Sequence, residues 1–397
     1  MGGQWRLVKA EGLAPSPRGA HASVALGTKV LVFGGADRKP VPFSDLWLLE
    51  TADGKYEWTR ISPLMASGCK LLPRSGATLT VVGDRVYLFG GTEPVSGVCF
   101  NDLKVLDTAT WTWSDVEAQG TLPPARHSHC SGCLAETCLI VYGGAGYQGP
   151  MQDLWIYNTL QNSWSRPVVS GPQPQAREMH TGCMVDPTTL LVYGGRGTEF
   201  KVCCDAALFD ARQMRWTAIE PTPFSRCAHS SVVLPAPAGA GGGRSTSSAQ
   251  PPQQQDGSSV GNGVPSLEGT AGSEAGGEAA GVASSSNSSS GGGSRVLIYG
   301  GYSGEAVEGD ILQIDSRTLE IELVRRGPRE SDKGGTVPSV RFAHSAVVVP
   351  TAAAAGSGSG GGSAAAAAAT GVSYTMVVFG GVNPKEDLND VAVWAQG

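Results

Sequence analysis

Six times along the chain a short apolar run closes on two glycines. The first is Val30-Leu31-Val32-Phe33-Gly34-Gly35, and the others end at Gly91, Gly144, Gly195, Gly301 and Gly381. Each run is β-branched and aromatic and only a few residues long, which predicts a buried strand rather than a helix. The glycine pair predicts a chain reversal that needs positive φ or close backbone approach. A different pattern follows about eight to ten residues later: apolar and polar positions alternate, as in Asp153-Leu154-Trp155-Ile156-Tyr157-Asn158, the period of a half-buried strand. The runs recur roughly every fifty residues, so the chain is an array of like units.

Each unit carries four landmarks, one per predicted strand (a to d). Strand a opens on Arg with His three residues later: Arg18/His21, Arg126/His129, Arg177/His180, Arg226/His229 and Arg341/His344; the second unit has Arg74 but Ala77. Strand b is the run into Gly-Gly. Strand c begins at an Asp: Asp45, Asp102, Asp153, Asp205, Asp310 and Asp390. Strand d centres on Trp58, Trp113, Trp164 and Trp216, with Ile321 in the fifth unit. The sixth unit stops after strand c, while Gln4-Trp5-Arg6-Leu7-Val8-Lys9 supplies a spare tryptophan strand before the first arginine. The expected arrangement is a closed ring in which the N-terminal strand completes the last unit and removes two open sheet edges. The units fall at 17–61, 73–116, 125–167, 176–219, 225–324 and 340–397 plus 4–9.

The order Arg-x-x-His, Gly-Gly, Asp-hydrophobic, Trp resembles the kelch repeat across nearly the whole chain. That resemblance implies an all-β protein, a six-bladed kelch β-propeller of four-stranded antiparallel blades, the last closed by the N-terminal strand. The likeness is greatest to the endosomal Rab-GTPase effector with kelch motifs, a bare propeller with a low-complexity insertion in its last blade.

Composition narrows the function. A net charge of −6 with 16% charged residues gives no basic footprint, which argues against nucleic acid or an anionic membrane as the main partner. No signal segment opens the chain and no apolar run is long enough to insert in a membrane. The cytoplasm, or the nucleus, is the expected compartment. Nine cysteines suggest no disulfide framework. Residues 235–294 and 351–371 are Gly, Ser, Ala, Gln and Pro tracts, expected to be disordered insertions because they carry too little apolar surface to offset ordering. Both fall between strands a and b, so they leave from the face opposite the arginines.

The arginine face is therefore the expected binding surface. Arg18, Arg74, Arg126, Arg177, Arg226 and Arg341 would ring the channel mouth, where guanidinium forks suit carboxylates. In kelch proteins that capture acidic peptides, arginines at similar positions contact the ligand. A second reading has each arginine pair with backbone carbonyls or a neighbouring blade's acid and only build the ring. The loops after Gly-Gly differ from unit to unit and carry one aromatic each in five units: Phe43, Phe100, Tyr147, Phe200 and Tyr302, expected as partner anchors. Arg38, Lys39, Arg196 and Lys201 oppose Glu305, Glu308, Glu386 and Asp387 around the ring.

Signs of chemistry are absent. Five of six histidines occupy the repeated slot; His127 alone is extra, expected to face the same way as His129. Cys130, Cys133 and Cys138 lack the paired spacing of a zinc site. No histidine has an Asp four residues before it, as the iron site of kelch-type specifier proteins requires. The expectation is a non-enzymatic, monomeric adaptor without cofactor or metal, binding a protein partner that carries an acidic segment. A role as effector of a vesicle-trafficking GTPase is the first form of that reading, substrate recognition for a ubiquitin ligase the second. A metal-dependent kelch enzyme or specifier protein is the alternative from another class.

Overall fold

Six antiparallel sheets follow one another in a ring, each a blade of four strands with strand a at the axis and strand d outermost. The computed structural model describes residues 3–39, 41–235, 294–328, 337–351 and 373–395. The chain divides into two units, 1–238 with 293–397, and 239–292. The second unit and almost all of the two low-complexity tracts lie outside the described residues. In blade 3 the order is Cys130–Leu134, Cys138–Tyr142, Leu154–Asn158 and Ser163–Ser165, and the other blades repeat it. Blade 5 pairs Leu234 with Arg295, and blade 6 pairs Pro350 with Tyr374, so both long tracts depart from an a–b turn.

Blade 6 takes its outermost strand from the other end of the chain. Gln4–Val8 lies antiparallel to strand c, Asp387–Ala395, with Gln4 opposite Ala395 and Val8 opposite Val391. The all-β, closed propeller expected from the sequence is the fold observed.

The core lies between blades rather than within them. Six apolar clusters each draw on two adjacent blades, including the pair formed by blades 6 and 1. The tryptophan of strand d packs on the aromatic that precedes Gly-Gly in the blade before it. Trp58 meets Phe379 at 4.8 Å, Trp113 meets Phe33 at 6.0 Å, Trp164 meets Phe89 at 5.1 Å and Trp216 meets Tyr142 at 4.8 Å. Trp5 meets Tyr299 at 4.8 Å in the same way, which marks it as the missing tryptophan of blade 6. In blade 5 Ile321 joins the cluster that holds Tyr193.

A second seam contact runs around the axis. The residue before each landmark histidine, or before Ala77 in blade 2, takes positive φ, +51° to +64°, at Ala20, Gly76, Ser128, Met179, Ala228 and Ala343. The N–H of each donates to the carbonyl of its counterpart one blade earlier, from Gly76 to Ala20 and on to Ala20 to Ala343, at 2.7–2.9 Å. Six backbone hydrogen bonds thus close on themselves around the channel. This left-handed step also moves the start of regular strand a to the residue after the histidine. His127 and His129, expected to face the same way as alternate strand positions, do not: Ser128 between them breaks the strand period, and His127 turns towards Glu178 while His129 enters the channel.

Candidate partner-binding face at the channel mouth

The six arginines are the deepest part of this face. All are buried, from 0% to 4% exposed. In five of them the two Nη groups bind both oxygens of the landmark Asp of the same blade at 2.6–3.1 Å. The same five donate to the carbonyl of the first glycine of the pair, as Arg126 does to Gly143 at 2.8 Å, and through Nε to a carbonyl two residues back, as Arg126 does to Pro124 at 3.1 Å. Each arginine's own carbonyl accepts the N–H of the second glycine of the preceding blade, at 2.7–2.9 Å. The first glycine of the pair is required beside the same carbonyl: a Cβ on Gly34 would stand 2.6 Å from the Arg74 oxygen. Landmarks far apart in a unit thus form one junction, with the acid drawn from the same blade.

Five of the six forks are therefore filled within the fold, as in the second reading of the arginines, and do not stand free at the mouth, while Arg226 is held more loosely. Phe43 and Phe100 belong to this framework too, stacked on Arg18 and Arg74 with the guanidinium carbon 4.1 and 4.2 Å from the ring centres. Burial pushes the Asp153 carboxyl up, but the Arg126 hydrogen bonds and charge outweigh it and hold the pKa below the usual carboxylate value. Asp153→Ala strands a wholly buried guanidinium, and about 3–5 kcal/mol of stability should be lost. Blade 5 is the loose case, with one Arg226–Asp310 contact at 3.4 Å and Glu308 at 3.9 Å. In urea titrations Asp310→Ala should shift the midpoint clearly less than Asp153→Ala; equal shifts would contradict this assignment.

Inside the mouth the landmark histidines line a channel cavity of about 240 Å³. His21, His129, His229 and His344 each place Nε2 2.7–2.9 Å from a Ser or Thr hydroxyl of the preceding blade. His180 has no such partner, because Cys130 stands where the hydroxyl would be. Ala77, the departure in unit two, faces Ala22 in the corresponding place, so both halves of that contact are apolar. Burial and the neighbouring arginines lower the pKa of His21, His180 and His229 to about 3. His129 and His344 are lowered well below the ordinary value by the same causes. The five rings are neutral. Among the described residues no group of three His, Cys, Asp or Glu side chains is placed to hold a metal ion.

What differs from blade to blade is the layer just above. The residue after each arginine bridges the residue after each Gly-Gly: Gly19 to Ala36, Ser75 to Thr92, His127 to Ala145, Glu178 to Arg196, Cys227 to Tyr302, Phe342 to Val382. One sector is small or hydroxylic, the next charged, the last apolar. In the charged sector Glu178 Oε1 accepts from Arg196 Nε at 3.1 Å and Nη2 at 2.6 Å, with His127 Nδ1 3.9 Å from Oε2. Arg196 remains 30% exposed and lies 5.1 Å from the centre of the Phe200 ring. Beyond it the loops project Tyr147, fully exposed, Phe200 at 77% and Tyr302 at 38%. The charge asymmetry read from the loops is partly consumed within the ring: Arg38 binds Asp387 at 3.2 Å and the carbonyls of Asn383 and Glu386.

Sequence reasoning fixed on the repeated residues and passed over Glu178, Cys227, Phe342 and Val382. The available signal was the column beside each landmark, which keeps its place in the repeat while changing its chemistry.

A closed ring of six Arg–Asp blades with Gly-Gly reversals defines the kelch class of β-propellers. The profile of the KLHDC2/KLHL20/DRC7 Kelch-repeats domain matches residues 2–144 and 62–243, together more than half of the chain, and the chain belongs to the kelch-repeat family. It is similar to Host cell factor of Drosophila melanogaster, 30% identical over 266 residues, covering 58% of this chain and 17% of that protein. It is also similar to Kelch domain-containing protein 3 of Bos taurus, 27% identical over 233 residues, 53% of this chain and 60% of that protein. Acyl-CoA-binding domain-containing protein 4 of Arabidopsis thaliana is 29% identical over 180 residues, 45% of this chain and 26% of that protein. The chain thus spans less than two thirds of the length of each of these relatives. No helix among the described residues is long and apolar enough to cross a membrane.

Proposed function

We propose that this propeller is a protein-interaction adaptor that binds its partner over the channel mouth, with the post-Gly-Gly loops of blades 3 to 5 as anchors. One observation carries the reading. The arginines, histidines and Gly-Gly pairs repeated from blade to blade are buried in the framework, whereas the layer directly above changes its chemistry at each blade and, in blades 3 to 5, lies below loops that expose aromatics. A surface that varies on a scaffold that does not is the economy of a recognition face. The six repeated arginines hold this face from beneath, and Arg196, 30% exposed although its Nε and Nη2 already bind Glu178, is the guanidinium at the mouth that an acidic segment of a partner would share. The finer form, an effector of a vesicle-trafficking GTPase, rests on the sequence resemblance; ubiquitin-ligase substrate recognition is its rival.

The test is affinity capture from the native host with quantitative mass spectrometry. Tyr147→Ala with Phe200→Ala should weaken capture of the main partner tenfold or more, the effect of losing roughly 1.4 kcal/mol or more at two anchors. Leu160→Ala, equally exposed but on a c–d turn at the other end of blade 3, should leave capture intact. The reverse result would place the binding face elsewhere. Recovery of a small GTPase or of ligase subunits decides between the two finer forms.

A further inference from the structure

The outer edges of the blades are not treated alike. In blades 1 to 4 the connector arriving from the previous blade lies parallel beside strand d. Glu11–Gly12 pairs with Glu57 and Trp58, Leu64–Met65 with Thr112 and Trp113, Gln119 with Ser163, and Ser170 with Arg215. The contact is the same each time. The carbonyl two residues before the tryptophan, on Tyr56, Trp111, Asn162 and Met214, accepts a connector N–H at 2.8–2.9 Å. The N–H of Trp164 and of Trp216 returns a bond to the connector carbonyl of Gln119 and of Ser170 at 3.0 and 2.8 Å.

Blade 5 has the same edge and nothing on it among the described residues. Ile321 pairs with Ile314 as Trp164 pairs with Tyr157, so its N–H points outward. Neither that N–H nor the Leu319 carbonyl has a hydrogen-bond partner among the described residues. The cause is length. Between Ile219 and Arg226 lie six residues, 220–225, against nine to twelve in the connectors that fill the other four edges. This short connector turns back instead to its own blade, where Thr222 binds the Cys204 carbonyl at 3.1 Å.

We propose that this edge, at Leu319 to Ile321, is a docking slot for an extended, glycine-bearing segment of a partner protein, a second surface apart from the channel mouth. The filled edges define the occupant. In three of the four, the connector residue opposite the tryptophan is a glycine with φ of +79° to +85°: Gly12, Gly120 and Gly171. A Cβ there would come within 2.1–2.8 Å of the tryptophan carbonyl. The fitting segment is therefore one polar residue followed by glycine, running parallel to strand d and bonded through its backbone, as in strand addition to a sheet edge. A second copy of this chain has none to lend from these positions, because its own Glu11–Gly12, Gln119–Gly120 and Ser170–Gly171 are built into blades 1, 3 and 4.

The probe is a synthetic peptide with the sequence of residues 116–123, Val-Glu-Ala-Gln-Gly-Thr-Leu-Pro, added to the full chain while amide hydrogen exchange is followed. The Ile321 amide should be fast in the free protein and slow about tenfold at a peptide concentration ten times its dissociation constant. The Trp58, Trp113, Trp164 and Trp216 amides should not change. A peptide with Gly120→Ala should protect nothing. Ile321→Pro should abolish protection at the neighbouring edge amides while the propeller keeps a cooperative transition, lowered by the lost Ile321 packing, since proline is tolerated where an edge N–H faces solvent. An Ile321 amide already slow in the free protein, no protection at about 1 mM peptide, or equal protection by the alanine peptide would overturn the proposal.

Discussion

Removal of residues 3–9 should abolish the cooperative unfolding transition of the whole propeller, although these residues supply a strand to one blade. The loss is twofold. Blade 6 keeps three strands, and the strand Asp387–Ala395 becomes an open edge with its five pairings to Gln4–Val8 gone. The cluster between blades 5 and 6 also loses Trp5, which is buried and meets both Tyr299 and Trp394, the latter at 5.3 Å. Trp5→Ala alone should cost about 3–5 kcal/mol, as for a large aromatic removed from a packed site. The deletion adds the strand itself and breaks the joint at which the two ends of the described chain close the ring. Differential scanning calorimetry should show the single endotherm replaced by a broad, early one, with self-association at the new edge in size-exclusion chromatography. An unchanged endotherm would mean that the N-terminal strand decorates the ring rather than closing it.

The second large effect is with acid. The folded-state pKa of His21, His180 and His229 is about 3, and those of His129 and His344 are also far below the ordinary 6.5. Above pH 6.5 neither folded nor unfolded chain binds these protons, and stability is whole. As pH falls below 6.5 the unfolded chain takes up five protons that the folded chain refuses. Each lowers stability by about 1.4 kcal/mol per pH unit, so by pH 5.5 the five together remove about 7 kcal/mol. That is comparable with the entire stability of a typical domain. The decline continues towards pH 3. Asp45, Asp102 and Asp153, where burial pushes the carboxyl up but the arginine bonds outweigh it and depress the pKa, add their own loss only below about pH 4. Urea midpoints measured between pH 7.5 and 5.5 should fall steeply, and His229→Gln should flatten the slope by one proton. A flat profile over that range would show that the histidines are solvated.

The pattern of apolar and polar positions was enough to place the blades, their order and the circular closure, because each of those features repeats. Four landmarks recurring in order leave little freedom once the strands must pair and bury one face. The role of the arginines was less legible. A guanidinium looks the same in sequence whether it points outward or is locked to a carboxylate, and the partner, Asp153 for Arg126, is 27 residues away across two strands. The same applies to His127, where a single left-handed residue, Ser128, undid a face assignment that regular strand geometry would have supported. The variable layer at the mouth escaped notice for the opposite reason. Glu178 and Phe342 gain meaning only by comparison with the same column in other units, and no single unit shows that the column matters.

The alanine pair at the seam of blades 1 and 2 shows what is inherited as a piece. Elsewhere a histidine of one repeat answers a hydroxyl of the repeat before it; here Ala77 and Ala22 have both become silent. The partners of every such contact belong to different repeats, so the repeat seen in the sequence is not the module in which the protein can vary. That module is a seam, half of one unit and half of the next. A repeat copied or exchanged whole would arrive with two mismatched flanks, and any drift in this ring has to be written twice, in two different repeats.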